Sequence, residues 1–287
     1  MVDKLILLSD CLESRFESLA LEDGEKKDGY AGVIDLRKTI HSISARLSCR
    51  GFYNGIHKLD FIEVSCLGLP FVLETTRKVF GKSHSAKICR IDLCVDFLGT
   101  SVEFFVANCL IPGVQNYKIY RTRGALSYYF NVSNTRTTLV YNKLAELRAR
   151  QNPLVHLYSP ADTLTRFEVQ LKGAGVPFKR LSNIHLYAKQ DLLSNLQWLR
   201  LCTEPQPTKP LLFLAQTGLR SLIEVHGLQR VSKMFSAPVW ASIRAQYLAP
   251  MKNRDRPQLN TRLQKSVQDW IDGKIRFPRV RSEGVNS

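Results

Sequence analysis

The sharpest alternation of apolar and polar positions runs from Lys87 to Phe97, KICRIDLCVDF. Cys89, Ile91, Leu93, Val95 and Phe97 occupy one set of positions; Ile88, Arg90, Asp92, Cys94 and Asp96 occupy the other. A period of two predicts a strand with one face buried and Arg90, Asp92 and Asp96 together on the opposite face. Leu164–Lys172, LTRFEVQLK, repeats the pattern, with Phe167, Val169 and Leu171 inward and Arg166, Glu168 and Gln170 outward. Shorter runs predict strands at Leu5–Leu8, Ala31–Leu36 and Leu59–Leu67, and Tyr117–Phe130 reads as two strands around Arg123-Gly124. Thr137–Val140 is a strand-like, largely β-branched run that gives way to helical spacing at Leu144, Ala145 and Leu147.

Helical patterns occupy Val72–Val79, closed by Phe80-Gly81, and Ser101–Leu110. Glu13–Gly29 is charged and reads as helix or loop, Cys49–Gly55 is turn-rich, and Asn152–Pro160 is a polar connection. After Gly173–Pro177 the character changes. Leu181–Leu201 is helical in pattern, Glu204–Pro210 is a linker-like break, and Leu211–Tyr247 reads as several short helices, with Ser236-Ala237-Pro238 opening one. Leu259, Leu263, Val267, Trp270 and Ile271 form a helical stripe that ends at Gly273, and a basic tail follows from Lys274. No internal repeat is visible. The expected fold is α+β: an antiparallel sheet with helices on one face over residues 1–180, then a mainly helical domain over 181–287.

Composition excludes several classes. No apolar run approaches the length of about 18 residues that a membrane span needs. The apolar stretch of the opening MVDKLILL is too short for a secretory signal. Seven cysteines without a C-x-x-C pair, and six dispersed histidines, argue against a zinc site or a disulfide framework and fit the reduced thiols of a cytosol. Charge changes the picture most. The chain carries +16, and its first hundred residues hold 14 basic and 14 acidic side chains, so the whole excess lies after residue 100. A one-sided excess of this size fits a polyanionic partner.

Against that charge, a few side chains suggest chemistry. Tyr141 and Lys143 stand where the strand turns to helix, and in strand geometry residues two apart face the same side. A tyrosine, with a pKa near about 10, is a poor nucleophile until its oxyanion is stabilised. A neighbouring lysine can do that, or hold the phosphate the tyrosine attacks; a packed tyrosine beside a solvated lysine is the plain alternative. Aspartate is depleted in strands, so Asp92 and Asp96 on one face need a reason. One is a solvated face with an Arg–Asp pair; the other is a pair of carboxylates holding a hard divalent cation. Glu168 adds a third carboxylate. A phosphate site carries such groups only if a cation such as Mg²⁺ or Mn²⁺ reverses the local sign. Lys118, Arg121 and Arg123 lie among Tyr117, Tyr120, Tyr128 and Tyr129, which suits a single nucleic-acid strand or an ordinary hairpin equally.

Three segments in order, ICRIDLCVDF, TLVYNKLAELRAR and LTRFEVQLKG, resemble the replication-initiation endonucleases of filamentous phages (the gene II type) and are similar to the wider group of rolling-circle phage and plasmid initiators. MVDKLILLSD and Val79-Phe80-Gly81 fit the phage group as well, and the resemblance covers residues 1 to about 180. It implies that residues 1–180 are a nicking and joining domain, with Tyr141 as nucleophile and Lys143 as its phosphate or oxyanion partner. It also implies Asp92, Asp96 and Glu168 as ligands of Mg²⁺ or Mn²⁺; Arg166, with the basic hairpin residues, is expected on DNA. Glu146 matches the same segment without an assigned role, and Asn142 stands where relatives often have Asp. The implied function is origin-specific nicking of one strand of a phage or plasmid duplex in a bacterial cytoplasm. A 5′-phosphotyrosine forms, and host helicase and DNA polymerase act on the released end. The basic helical region 181–287 is expected to contact DNA. A non-catalytic DNA-binding regulator is the alternative, with Gly227–Leu248 as a helix-turn-helix, and an RNA-binding structural protein is a third reading.

Overall fold

The computed structural model describes residues 1–9, 32–34, 46–51, 57–62, 64, 67–81, 86–112, 114, 117–122, 125–202 and 210–274. Among them, nine strands form one antiparallel sheet: β1 (Val2–Ser9), β2 (Gly32–Ile34), β3 (Arg46–Gly51), β4 (His57–Ile62), β5 (Lys87–Leu98), β7 (Lys118–Thr122), β8 (Ala125–Val132), β9 (Arg136–Asn142) and β10 (Leu164–Lys172). Their spatial order is β2-β3-β4-β1-β5-β10-β9-β8-β7. β5 and β10, the two strands with the cleanest alternation, pair at the centre, with Phe167 opposite Val95. The fold is therefore α+β, as the periodicity predicts. Short two- and three-residue strands, β6 (Cys109–Leu110) and β12 (Leu248–Pro250), flank β11 (Gln197–Leu201) in a second small sheet.

One face of the large sheet is apolar and buried: Leu5, Leu7, Phe61, Ile91, Leu93, Val95, Phe97, Val140, Phe167 and Val169. Three helices supply the other half of that core: α1 (Gly68–Phe80), α2 (Val102–Asn108) and α7 (Leu259–Ile271). α1 stops at Gly81, whose φ of 70° a side chain would strain. α7 buries Leu259, Leu263, Val267 and Trp270, and the Trp270 indole donates to the Val64 carbonyl at 2.9 Å. The boundary expected at residue 180 is thus not a break in packing, because the last helix completes the core of the first sheet. Between these segments, α4 (Pro210–His226), α5 (Leu228–Met234) and α6 (Ala237–Tyr247) gather around a second cluster of Leu110, Leu199, Leu219, Ile223, Leu228, Val231 and Leu248.

Two irregularities in the β1–β5 pairing set which side chains face where. Ile6 pairs with Arg90 but Leu7 with Ile88, so Cys89 is the extra residue, and Ile88 rather than Cys89 joins the core. Val2 pairs with Leu93 but Lys4 with Asp92, so Asp3 is extra on β1: Val2 turns inward and Asp3 joins Lys4 on the polar face. Bulges re-aim single side chains in this way, often beside functional sites.

Some expected elements differ. β4 begins at His57 and ends at Ile62, and Cys49–Gly51 belong to β3 rather than to a turn. Leu181–Leu201 is not one helix. Leu181–Ala188 is 3₁₀, burying Leu181, Ile184 and Tyr187 at a spacing of three, and Gln197–Leu201 pairs as β11 because β6 and β12 offer it backbone partners. Glu13–Gly29, Phe52–Gly55, Arg123-Gly124, residues 203–209 of the linker-like break and the tail after Lys274 lie outside the described residues. Among the described residues no helix is long and apolar enough to cross a membrane.

Candidate active site on the polar face of the sheet

Strand register brings distant residues together. Ser127, Tyr141, Arg166 and Asp96 lie in one row across β8, β9, β10 and β5, and Tyr129, Leu139 and Glu168 lie in the next. Gln170, Asp92 and Lys4 continue the pattern one row further. At the end of β9 the Asn142 side chain accepts from the Ala145 amide at 2.9 Å and starts α3 (Lys143–Ala149), which folds over this face. Asp3, Asp92, Tyr129, Tyr141, Glu168 and Gln170 on the sheet, with Glu146 and Arg150 from the α3 side, line a cavity of about 470 Å³.

Tyr141 and Glu168 form its centre. The Tyr141 hydroxyl donates to Glu168 Oε2 at 3.2 Å, and the Gln170 amide donates to Oε1 at 2.8 Å. Burial, then the charges of Asp3 and Asp92, push the Glu168 carboxyl up to about 7. Burial, then the Glu168 charge, push the Tyr141 phenol well above its ordinary value. Lys143 does not do what its spacing suggested. It is the first helical residue rather than the strand's next, it is buried, and its ammonium pairs with Glu146 at 2.8 Å. Its nitrogen stands 6.0 Å from the Tyr141 ring centroid. Glu146 thereby gains a role: it holds Lys143 on one oxygen and Arg150, also at 2.8 Å, on the other.

The three expected metal ligands divide. Asp92 and Glu168 line the cavity and Asp96 does not. Arg166 grips both Asp96 oxygens, at 2.6 and 2.8 Å, and reaches Asp3 at 2.5 Å. Arg166 is 3 % exposed, so it is a buried bridge between two carboxylates and not a DNA contact. Arg90 grips Asp92 in the same bidentate manner, at 2.8 and 2.6 Å, which is the Arg–Asp pair offered as the plainer reading of that face. Among the described residues no three acidic, histidine or cysteine side chains close around one point. The donor set nevertheless suits Mg²⁺ bound in its usual way, through one or two carboxylates with water and substrate phosphate completing the shell. Glu168 is the cavity carboxylate whose two oxygens meet only neutral donors, and Asp3 and Asp92 raise its proton affinity in the way a cation would relieve.

Neither comparison with protein-family models nor comparison with curated proteins finds a match to this chain. The site therefore stands on its geometry.

Of the residues expected on nucleic acid, Lys118 is exposed on the edge strand β7, and the backbone of Arg121 pairs there with Leu126. Arg123 lies outside the described residues. Tyr120 is exposed and meets Tyr129 edge-to-face at 5.3 Å, on the cavity side, while Tyr128 is fully buried in the core. Sequence reasoning missed Asp3, Arg150 and Gln170 as site residues. Alternation assigns Asp3 to the apolar face, and only the bulge, which leaves no mark in the sequence, moves it.

A stability test follows from Glu168. Its folded value near 7 exceeds the ordinary 4.5, so between those values the folded protein keeps a proton that the unfolded chain releases. Stability should fall as pH rises from 4.5 through 7, and the deficit should be complete above that. Glu168→Gln should therefore be more resistant to urea than wild type above neutrality, by on the order of 1–3 kcal/mol in EDTA, and equal to it in acid. Equal pH profiles for the two proteins would sink this account of Glu168.

Proposed function

We propose that the protein is a DNA nicking and joining enzyme that uses Tyr141 as its nucleophile. The observation that carries the reading is the hydrogen bond from the Tyr141 hydroxyl to a buried carboxylate poised near neutrality. Tyr141 cannot ionise by itself in this setting, so Glu168 takes the proton as the phenolic oxygen attacks a backbone phosphorus. The bond to the 3′ oxygen breaks, that oxygen takes a proton from water and leaves as a hydroxyl, and the 5′ phosphate stays on Tyr141. The reverse attack by a 3′ hydroxyl rejoins the strand. Arg150 and Lys4 stand on the cavity wall with the side chains suited to a phosphate, in the role expected of Lys143. A Mg²⁺ or Mn²⁺ ion would be held by Glu168, with Asp3 and Asp92 beside it, and would supply positive charge to the scissile phosphate.

The reading places the protein in the cytoplasm of a bacterial host, on a phage or plasmid origin, with host helicase and polymerase using the released 3′ end. Incubation with supercoiled origin DNA should give nicked circles and a protein–DNA adduct, and EDTA should suppress both. The purified protein should also melt at a higher temperature in Mg²⁺ than in EDTA, a gain that Glu168→Gln should lose. Intact supercoils and no adduct in Mg²⁺ and in Mn²⁺ would defeat the proposal.

A further inference from the structure

The helices between the two visits of the chain to the main core form a second functional surface. Gly227 links α4 to α5 at φ 78°, and an added Cβ would lie 2.4 Å from Val106 Cγ1, so this turn needs glycine. Gln229, 1 % exposed, accepts from the Ile111 amide at 2.9 Å and donates to the Ile111 carbonyl at 3.3 Å, which clamps α5 beside β6. α6 follows after only Phe235 and Ser236. Trp240, Ile243 and Tyr247 seat it on the second cluster, and the Tyr247 carbonyl accepts from the Cys202 amide at 2.8 Å.

No residue of α6 is fully buried. Its outer face carries Ala237, Pro238, Val239, Ala241, Ser242, Arg244, Ala245 and Gln246, all exposed, and most of them short. Short side chains let another molecule approach the helix closely, and Arg244 and Gln246 are long enough to reach beyond them. Along residues 225–254 the charge has one sign, with exposed Glu224 and Asp255, the latter 3.5 Å from Arg254, standing just outside the two ends. From Val225 to Arg254 the sequence contains no Asp or Glu, while Arg230, Lys233, Arg244, Lys252 and Arg254 are all exposed.

We infer that α5 and α6 form a helix-turn-helix whose second helix enters the major groove of duplex DNA. A helix with a small-residue outer face fits a groove about 12 Å wide, and its long polar residues then meet base edges. Arg230 and Lys233, on the first helix of the pair, meet the phosphates flanking that groove. The basic side chains of α5 and α6 are complementary to a duplex, and they flank the exposed apolar side chains of this surface, Met234 and Val239. The inference rests on DNA as the substrate proposed above but makes no use of Tyr141 or its cavity.

The test is fluorescence anisotropy of the full-length protein with a labelled mixed-sequence duplex and with one of its single strands, over a range of salt. Arg230→Glu with Arg244→Glu should weaken duplex binding on the order of 100-fold and lower the salt slope by about 2. Lys78→Glu with Lys265→Glu, which reverses equal charge on α1 and α7, should cost far less. Ala241→Trp keeps the charge but blocks close approach, and should weaken duplex binding while single-strand binding holds. Near-wild-type duplex affinity in the α5–α6 variants, or an equal loss in the control pair, overturns the inference. So does an equal loss of single-strand binding in Ala241→Trp. A protein that binds through α6 yet never nicks sinks the enzymatic reading alone, and one that nicks while its α5–α6 variants bind the duplex as wild type does sinks this one alone.

Discussion

Tyr141→Phe should form no covalent adduct with DNA and should nick no supercoiled circle. The substitution removes one oxygen and keeps the ring, so the packing beside Leu139 and α3 survives. What disappears from the fold is a single hydrogen bond to Glu168 at 3.2 Å, worth about 1 kcal/mol, so the melting temperature should move by a few degrees at most. Duplex binding should be unchanged. The chemical effect is total by contrast, because without the phenolic oxygen there is no atom to take the 5′ phosphate. A 3′-labelled oligonucleotide spanning the nick, run on a denaturing gel, reads this directly: wild type leaves label on the protein and Tyr141→Phe leaves none. Persistence of the adduct at the wild-type rate would move the nucleophile elsewhere. Tyr129, which lines the same cavity, is then the next to replace, while Tyr128 is fully buried in the core and cannot reach a phosphate.

The fold was most legible where one face of an element is buried and the other is not. β5 and β10 announce themselves by strict alternation, and they are the central pair from which the sheet extends both ways. α7 announces itself through Leu259, Leu263, Val267 and Trp270 at helical spacing, but its partner does not. A stripe shows that a helix is buried and not against what, so sequence order suggested a second domain where the chain returns to the first. Leu181–Leu201 failed for a related reason. A short run rich in leucine is compatible with helix, 3₁₀ or strand, and the free edges of β6 and β12 decided the outcome for β11.

The candidate site was legible in its members more than in their partnerships. Period-two counting placed Asp92, Tyr141 and Glu168 on one face, and the register joins them in one cavity. It also placed Asp96 there, on the same face and in the row of Tyr141, but two strands away and held by Arg166. Counting gives a face, while partnership depends on which arginine is within reach, and that is a matter of neighbouring strands. Lys143 illustrates the limit. Two residues from Tyr141 means a shared face only while the strand lasts, and Asn142 ends it by capping α3. The lysine then meets Glu146 three positions on, the spacing that pairs side chains within a helix.

The expectation with the largest effect on the fold concerns Arg166. Its guanidinium satisfies both oxygens of Asp96 and one of Asp3, at side-chain exposures of 4 % for the arginine, 5 % for Asp96 and 17 % for Asp3. Such a bridge adds little over an apolar core of the same shape, but removing one member strands the others away from water. Arg166→Ala should therefore cost about 3–5 kcal/mol, read as a lower urea midpoint. Arg166→Lys should recover only part of that, since one ammonium cannot reproduce a planar fork on two carboxylates. Adding Asp96→Asn to Arg166→Ala should restore stability rather than reduce it further, because it removes a stranded charge. The site should respond as well. Arg166 lowers Glu168 directly through its charge, and together with Lys143 and Arg150 it holds the Asp3 carboxyl below its usual range against burial. With Arg166 gone, Lys143 and Arg150 still favour the Asp3 carboxylate while Glu168 loses an opposing charge, so the pH at which adduct formation switches on should move upward from neutrality. A surface-like outcome, with Arg166→Ala unfolding at the wild-type urea concentration and Asp96→Asn adding no recovery, would mean that the triad is open to water and does not govern Glu168.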